Sequence, residues 1–338
     1  MEKQTELFKG ELMEEKLRLY FLNNGYYVAR GIKYVFEGNE ITDIDLFLYG
    51  RVSSLSRERT NVDIKNKKSP KAFERILWAK GLQQLLGFDS CVVATTDRKE
   101  VVRKYGHRHD TTILDGSFLQ KLSYNNIERI SEEELLALFN SIKSYKEFKN
   151  QTWKTLYEKS KSRLLSELDF SGYNSTLIIL YYFIKKCFDA QKKEIALRAT
   201  YIILSHSFLI LDYILKDIAF LEPDQRKSIL SDGFKYGNLG QEGVDRTIEM
   251  AVKIASSKMS VSQIKKSLDT TEMDILKEYY SKVETIKGIF KWAISFEKKA
   301  FEKSLTKPND LDIELKGSLA LMLDFFKINR KDFFELYK

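Results

Sequence analysis

Two stretches decide how this chain folds: Ile41-Thr42-Asp43-Ile44-Asp45-Leu46-Phe47-Leu48 and Asn61-Val62-Asp63-Ile64-Lys65. Alternation at period two makes both of them strands. In the first, Asp43, Asp45 and Phe47 share one face, and Ile44, Leu46 and Leu48 the other. In the second, Asp63 and Lys65 share a face opposite Val62 and Ile64. Acids are depleted in strands, and a buried charge is costly unless it is paired or binds a metal. If the two strands form a hairpin, Asp45 and Asp63 lie on one face of adjacent strands. Two carboxylates there repel each other unless a divalent cation sits between them. Hard oxygen ligands suit Mg²⁺ or Mn²⁺. Lys65 then stands beside the metal, able to stabilise a phosphate or orient an attacking water.

Outward from these strands, helix and strand signals alternate. Glu6 to Asn23 carries apolar residues among charges and reads as an amphipathic helix, ended by Gly25. Tyr26 to Phe36 is a strand, Gly38-Asn39 a turn, and Ile41 to Tyr49 the next strand. Gly50 to Thr60 reads as a polar, basic loop before the short strand Asn61 to Lys65. Pro70 precedes a helix over Lys71 to Leu86. Cys91 to Thr95 is a buried strand, Lys99 to Tyr105 a helix and Thr111 to Leu114 a strand broken by Asp115-Gly116. The sum is an α/β domain with a mixed central sheet flanked by helices. From about Ser131 only helical patterns follow, with breaks near Gly172, Pro223, Gly233 to Gly243, Ser260 and Pro308. The expectation is an α/β domain over 1–130 and an all-α domain over 131–338, with the boundary between 125 and 150.

The ordered elements, Asp45, the Asp63-Ile64-Lys65 triplet and the Asp115-Gly116 end together resemble the PD-(D/E)xK nuclease superfamily, in particular its Mrr-like members. The resemblance covers residues 6–122 and implies a restriction-endonuclease-like core. It implies that Asp45 and Asp63 bind Mg²⁺ or Mn²⁺, with the Ile64 carbonyl a further ligand, and that Lys65 is catalytic. The family often adds a Glu from the first helix. Met13-Glu14 lies before Gly25-Tyr26 much like the Phe-Glu and Gly-Tyr pair of Mrr-like members, so Glu14 is the candidate and Glu11 the alternative. Water attack then yields a 5′-phosphate. The sequence departs from the family where no Pro precedes Asp45 and where no Tyr follows Gln83 and Gln84 at the Gln-xxx-Tyr spacing.

Charge points the same way. The chain carries 56 basic and 48 acidic residues, a net +8. Arg51 to Arg108 alone holds 14 basic and six acidic residues, the whole of that excess. A concentrated basic field suits a polyanion, because each Lys or Arg at a phosphate releases a counterion. Lys67, Lys68, Lys71, Gln83, Arg57 and Arg59 are the candidate substrate contacts, the two arginines on a loop long enough to reach a groove. The expected substrate is DNA, with RNA open, in defence against foreign DNA or in repair. A catalytically inactive nucleic-acid-binding or assembly subunit on the same fold is the alternative, and a module meeting an acidic protein a third reading. The helical domain has no legible motif, and could dimerise or hold a partner protein.

Other chemistries find little support. Cys91 and Cys187 lie far apart, which excludes a disulfide framework and a Cys-based zinc site. His107 and His109 read as surface residues, and His206 as a core histidine in an apolar helix. Gly237-Asn238-Leu239-Gly240 lacks the Gly-Lys-Ser/Thr ending of a nucleotide loop and reads as a turn. Ile202 to Phe220 is strongly apolar, but Asp212, Lys216 and Asp217 interrupt it, so it reads as a buried helix. The expected location is the cytoplasm.

Overall fold

The computed structural model describes residues 7–122, 128–142, 151–255 and 272–338. Glu6 and the expected break at Ser260 lie outside the described residues. Five strands form one mixed sheet in the order β1-β2-β3-β4-β5. They are β1 (Tyr27–Phe36), β2 (Asn39–Arg51), β3 (Arg57–Lys65), β4 (Ser90–Thr95) and β5 (Thr111–Leu114). Short connections make β1, β2 and β3 antiparallel neighbours. The first turn relies on Gly38 at φ +82, which a side chain would disfavour. The helices α2 (Ala72–Leu86) and α3 (Glu100–Arg108) are the crossovers that let β3, β4 and β5 run parallel. With α1 (Lys9–Asn23) ahead of β1, this is the order read from the sequence.

The hairpin between β2 and β3 is longer than expected. Gly50 pairs with Glu58 and Arg51 with Arg57, so the loop is only Val52 to Ser56 rather than Gly50 to Thr60. Charged residues 57–59 do not look like a strand, but the backbone ladder continues through them. The end at Leu114 is also as read. Asp115 caps α4 (Gly116–Leu119), its Oδ1 accepting from the N–H groups of Ser117 (2.9 Å) and Phe118 (3.0 Å). A Cβ at Gly116 would overlap the Thr96 carbonyl oxygen, so only glycine fits.

Alternation divides the sheet's apolar residues between two layers. Leu46, Leu48, Val62, Ile64, Val92 and Ala94 pack with Leu17, Phe21 and Leu22 of α1 and with Leu119 of α4. Cys91 and Val93 pack on the other face with Ala72, Ile76 and Ala79 of α2 and Val102 of α3. Cys91 is buried, as expected of a packed strand residue.

The chain divides into two compact units, 1–166 with 301–304, and 167–300 with 305–338. The expected boundary at 130/131 is therefore moved. Two helices beyond it, α5 (Glu132–Ser141) and α6 (Trp153–Ser166), belong with the sheet. The cause is a buried ion network rather than a periodic pattern. Glu132 accepts from Arg18 Nη1 (3.1 Å), Lys161 Nζ (2.7 Å) and Tyr157 Oη (2.7 Å). Lys161 also donates to the Arg30 carbonyl at 2.6 Å. Burial alone would raise the Glu132 pKa, but Lys161, Arg18 and Tyr157 outweigh it and hold it at about 2.

The second unit is helical: α7 (Phe170–Lys186), α8 (Lys193–Leu215), α9 (Pro223–Tyr236), α10 (Gly240–Ala255), α11 (Glu272–Tyr280), α12 (Val283–Phe301, to Ala300 within this unit), α13 (Ile313–Phe325) and α14 (Arg330–Glu335). Among the described residues α8 alone is long and apolar enough to cross a membrane, and it is buried along most of its length. It ends at Leu215, so Lys216 and Asp217 fall just beyond it, while Asp212 and His206 are inside. Trp292 and Phe296 pack on Phe208, with ring centroids 5.9 and 5.8 Å away. Gly237–Leu239 is a short 3₁₀ turn between α9 and α10, as its sequence implied.

Candidate active site

The antiparallel ladder of β2 and β3 ends at Leu46–Val62, yet both strands continue. Beyond that point β2 pairs only with β1, where Asp43 faces Lys33, and β3 only with β4, where Asp63 faces Val93. The separated strands leave backbone groups without ladder partners. Asp45 fills this gap: its Oδ2 accepts from the Ile64 N–H at 2.6 Å. Ile64 itself points into the α1 layer. Asp63 points the opposite way, toward α2, and is buried. Lys65 follows it on the same face, half-buried.

Four of the expected residues therefore gather where the strands part: Asp45, Asp63, Ile64 and Lys65. Burial raises the Asp45 carboxyl above its usual range, and the Ile64 N–H, Arg75 and Lys65 only partly offset this. Glu14, on α1, bonds Arg30 and lies within reach of the Asp45 charge. Burial pushes it up to about 7, with the Asp45 charge adding to the effect and Arg30 opposing it. Arg30 Nε donates to Glu14 at 2.6 Å, but the same guanidinium also serves Glu15 (2.9 Å) and Glu133 (2.7 Å). One cation shared among three carboxylates does not neutralise Glu14. Glu11, the alternative, is spent elsewhere: its Oε2 caps α1 by accepting from the Phe8 N–H at 2.8 Å. Asp43 is exposed.

Arg75 is the residue that pattern reading missed. It stands on the first turn of α2, and its Nε donates to Asp63 Oδ2 at 2.8 Å while its Nη2 takes Asp63 Oδ1. Its charge also acts on Asp45 and Asp43. An arginine on a helix carries no signal of its own; only the fold brings it to the triplet.

The substrate-contact candidates separate into two groups. Lys67 and Lys68 are exposed just past Lys65, and among the described residues none of these three ammonium groups has an ion-pair partner. Asn66 Nδ2 holds this turn to the Lys9 carbonyl at 2.9 Å. Lys71 instead pairs with Glu74 at 3.1 Å. Arg57, Arg59 and Gln83 are not brought to the site. Arg57 is buried and donates to the carbonyls of Ser53 (2.6 Å), Ser54 (3.3 Å) and Ser56 (3.0 Å), holding its own hairpin loop. Arg59 bonds the Gly87 carbonyl, and Gln83 Nε2 the Asp89 carbonyl at 3.0 Å. Those contacts lie where β4 begins, six residues up β3 from Lys65, roughly 20 Å away at strand rise. His107 and His109 are exposed.

These oxygens suit a hard divalent cation in kind. Asp45 is half-buried, and its desolvation outweighs the groups that favour its charge, a deficit such a cation would offset. Asp63 does not offer itself in the same way, because Arg75 occupies both its oxygens. Among the described residues no three His, Cys, Asp or Glu side chains form a metal-holding group. The donor set fits at Asp45 and would fit at Asp63 once Arg75 withdrew. No family model, curated protein or solved structure matches this chain.

Proposed function

We propose that the first unit is a metal-dependent nuclease of the PD-(D/E)xK type on a restriction-endonuclease-like core, acting on DNA. The observation that carries this reading is the parting of β2 and β3, where Asp45 bonds the Ile64 N–H while Asp63 and Lys65 project from the neighbouring strand. Asp45 bridges the parted strands and Asp63 is paired with Arg75, but two acids beside a lysine that has no ion-pair partner among the described residues are also the donor set that a divalent cation and a phosphate require. Asp45, Asp63 and the Ile64 carbonyl would hold Mg²⁺ or Mn²⁺, with Glu14 completing the set. The cation would lower the pKa of water and polarise a phosphoryl oxygen. Lys65 stabilises negative charge on the phosphate as the transition state forms. Lys67 and Lys68 hold the flanking backbone. Defence against foreign DNA or repair is the role that such an activity serves, in the cytoplasm.

The test is a cleavage assay on plasmid, linear duplex, single-stranded DNA and RNA, with Mg²⁺, Mn²⁺ or EDTA. Metal-dependent cutting should fall at least 100-fold in Asp45→Asn and Lys65→Ala, in line with the usual size of such electrostatic contributions. Cutting by either variant at the wild-type rate would refute the site. A second reading, a nucleic-acid-binding subunit without chemistry, is favoured by the Arg75 clamp on Asp63. It requires salt-sensitive binding that ignores divalent cations and no cutting of any substrate.

A further inference from the structure

Arg75 and a divalent cation compete for the same two oxygens. The Asp63 side chain is 6% exposed, whereas that of Arg75 is 25% exposed, so the carboxylate lies inside and the guanidinium at the opening. The guanidinium cannot simply leave. Its departure strands a buried carboxylate without a counter-charge, so it is favoured only where a cation replaces it at Asp63 and an anion at the opening draws the guanidinium outward. A phosphodiester is such an anion, and its two free oxygens fit the guanidinium fork as the carboxylate does. Cations for one are close by in the chain: Lys65, Lys67 and Lys68 follow within five residues of Asp63 and have no ion-pair partner among the described residues. Trp78, one turn along α2, is 46% exposed, with its ring centroid 5.9 Å from the guanidinium carbon.

Resting on the nuclease reading, we propose that Arg75 is a gate that exchanges Asp63 for a substrate phosphate. Binding is then ordered. Nucleic acid draws Arg75 onto its backbone, Asp63 is released, and the metal set of Asp45, Asp63 and Ile64 forms only in the complex. Free protein carries its own cation at Asp63 and holds a divalent ion poorly. The same guanidinium that blocks the metal in the free state fixes the phosphate in the bound one.

Mn²⁺ binding followed by electron paramagnetic resonance tests this without turnover. Phosphorothioate DNA, duplex or single-stranded, serves as the uncut probe. Wild-type protein should bind Mn²⁺ at least tenfold tighter with DNA present than without. Arg75→Gln should bind it at least tenfold tighter than wild type in the absence of DNA and gain nothing further from DNA. Asp63→Asn should abolish the site in both states. Circular dichroism establishes that the variants are folded. If Arg75→Gln is not, Arg75→Lys carries the test, since it keeps a charge but loses the fork, and should also tighten DNA-free Mn²⁺ binding. In wild type, Trp78 should change its quenching by acrylamide on adding DNA without metal, and this change should be lost in Arg75→Gln. Equal Mn²⁺ affinity in wild type and both Arg75 variants, with DNA or without, overturns the gate and leaves the metal site standing. No Mn²⁺ bound by any of them in any state overturns the nuclease reading and the gate with it.

Discussion

Glu14 shows what an acid costs when its counter-charge is shared. Its carboxyl, ordinarily near 4.5, is held at about 7 by burial despite the Arg30 bond. The consequence for stability has a definite sign. Between these two values the unfolded chain has lost the proton that the folded chain keeps, so stability falls as pH rises through the window and levels off above it. Glu14→Gln removes this penalty. The stability of Glu14→Gln relative to wild type, measured by urea unfolding in EDTA, should rise from pH 5 to pH 8, by no more than about 3 kcal/mol. Loss of the Arg30 bond adds an offset that does not vary with pH, so the slope is the quantity to read. A flat difference would mean that Glu14 is already ionised at pH 5. Glu132, another acid on this network, behaves oppositely, because Lys161 and Arg18 are committed to it and its pKa drops to about 2. Its contribution is present above pH 4.5 and lost only as pH falls toward 2.

At the scale of elements, the end of the sheet rests on two neighbouring residues with different demands. Asp115 supplies a cap and an ion pair to the half-exposed Arg103 at 3.2 Å. Asp115→Ala should cost about 1 kcal/mol, the usual worth of a cap. Gly116→Ala drives a methyl into the Thr96 backbone, which cannot swing aside, so it should cost clearly more than Asp115→Ala in the same melting experiment. An equal or smaller loss would show that α4 can shift away from β4. Asp-Gly was visible in the sequence because turn chemistry is local, and so were the strands around Asp45 and Asp63, whose alternation is local too. The start of β3 was not. Arg57-Glu58-Arg59 forms a strand because the β2 backbone opposite it is already in place, a condition no five-residue window contains. The same holds for the site: the triplet was legible as a pattern, but the partner of Asp63 was one unremarkable arginine on α2. Arg57 and Arg59 drew attention through their charge, and the fold commits them to loop carbonyls instead.

At the scale of the molecule, the change from mixed to purely helical sequence near residue 131 is real, but it is not where the first unit ends. Composition marks a change of element type, whereas a unit ends where its buried groups have all found partners. Arg18 and Arg30 are buried on α1 and β1, and the acids that answer them include Glu132 and Glu133 beyond the compositional border. Phe301, from far along the chain, belongs to this unit as well and lies 4.0 Å from Arg18 and 4.2 Å from Arg129, ring centroid to guanidinium carbon. A fragment of residues 1–130 would keep the whole sheet yet strand Arg18 without Glu132. It would leave Arg30 facing Glu14 and Glu15 alone. Removing one side of a buried charge pair costs about 3–5 kcal/mol, comparable to the total stability of many domains. The 1–130 fragment should therefore fail to fold cooperatively, with no sharp melting transition and poor dispersion of its amide resonances. Residues 1–166 restore Glu132, Glu133 and Lys161 and should melt as one transition, at a lower temperature than the full chain because Phe301 is still missing. A 1–130 fragment as stable as 1–166 would show that the ion network decorates the sheet rather than completing it. The boundary would then return to the compositional border.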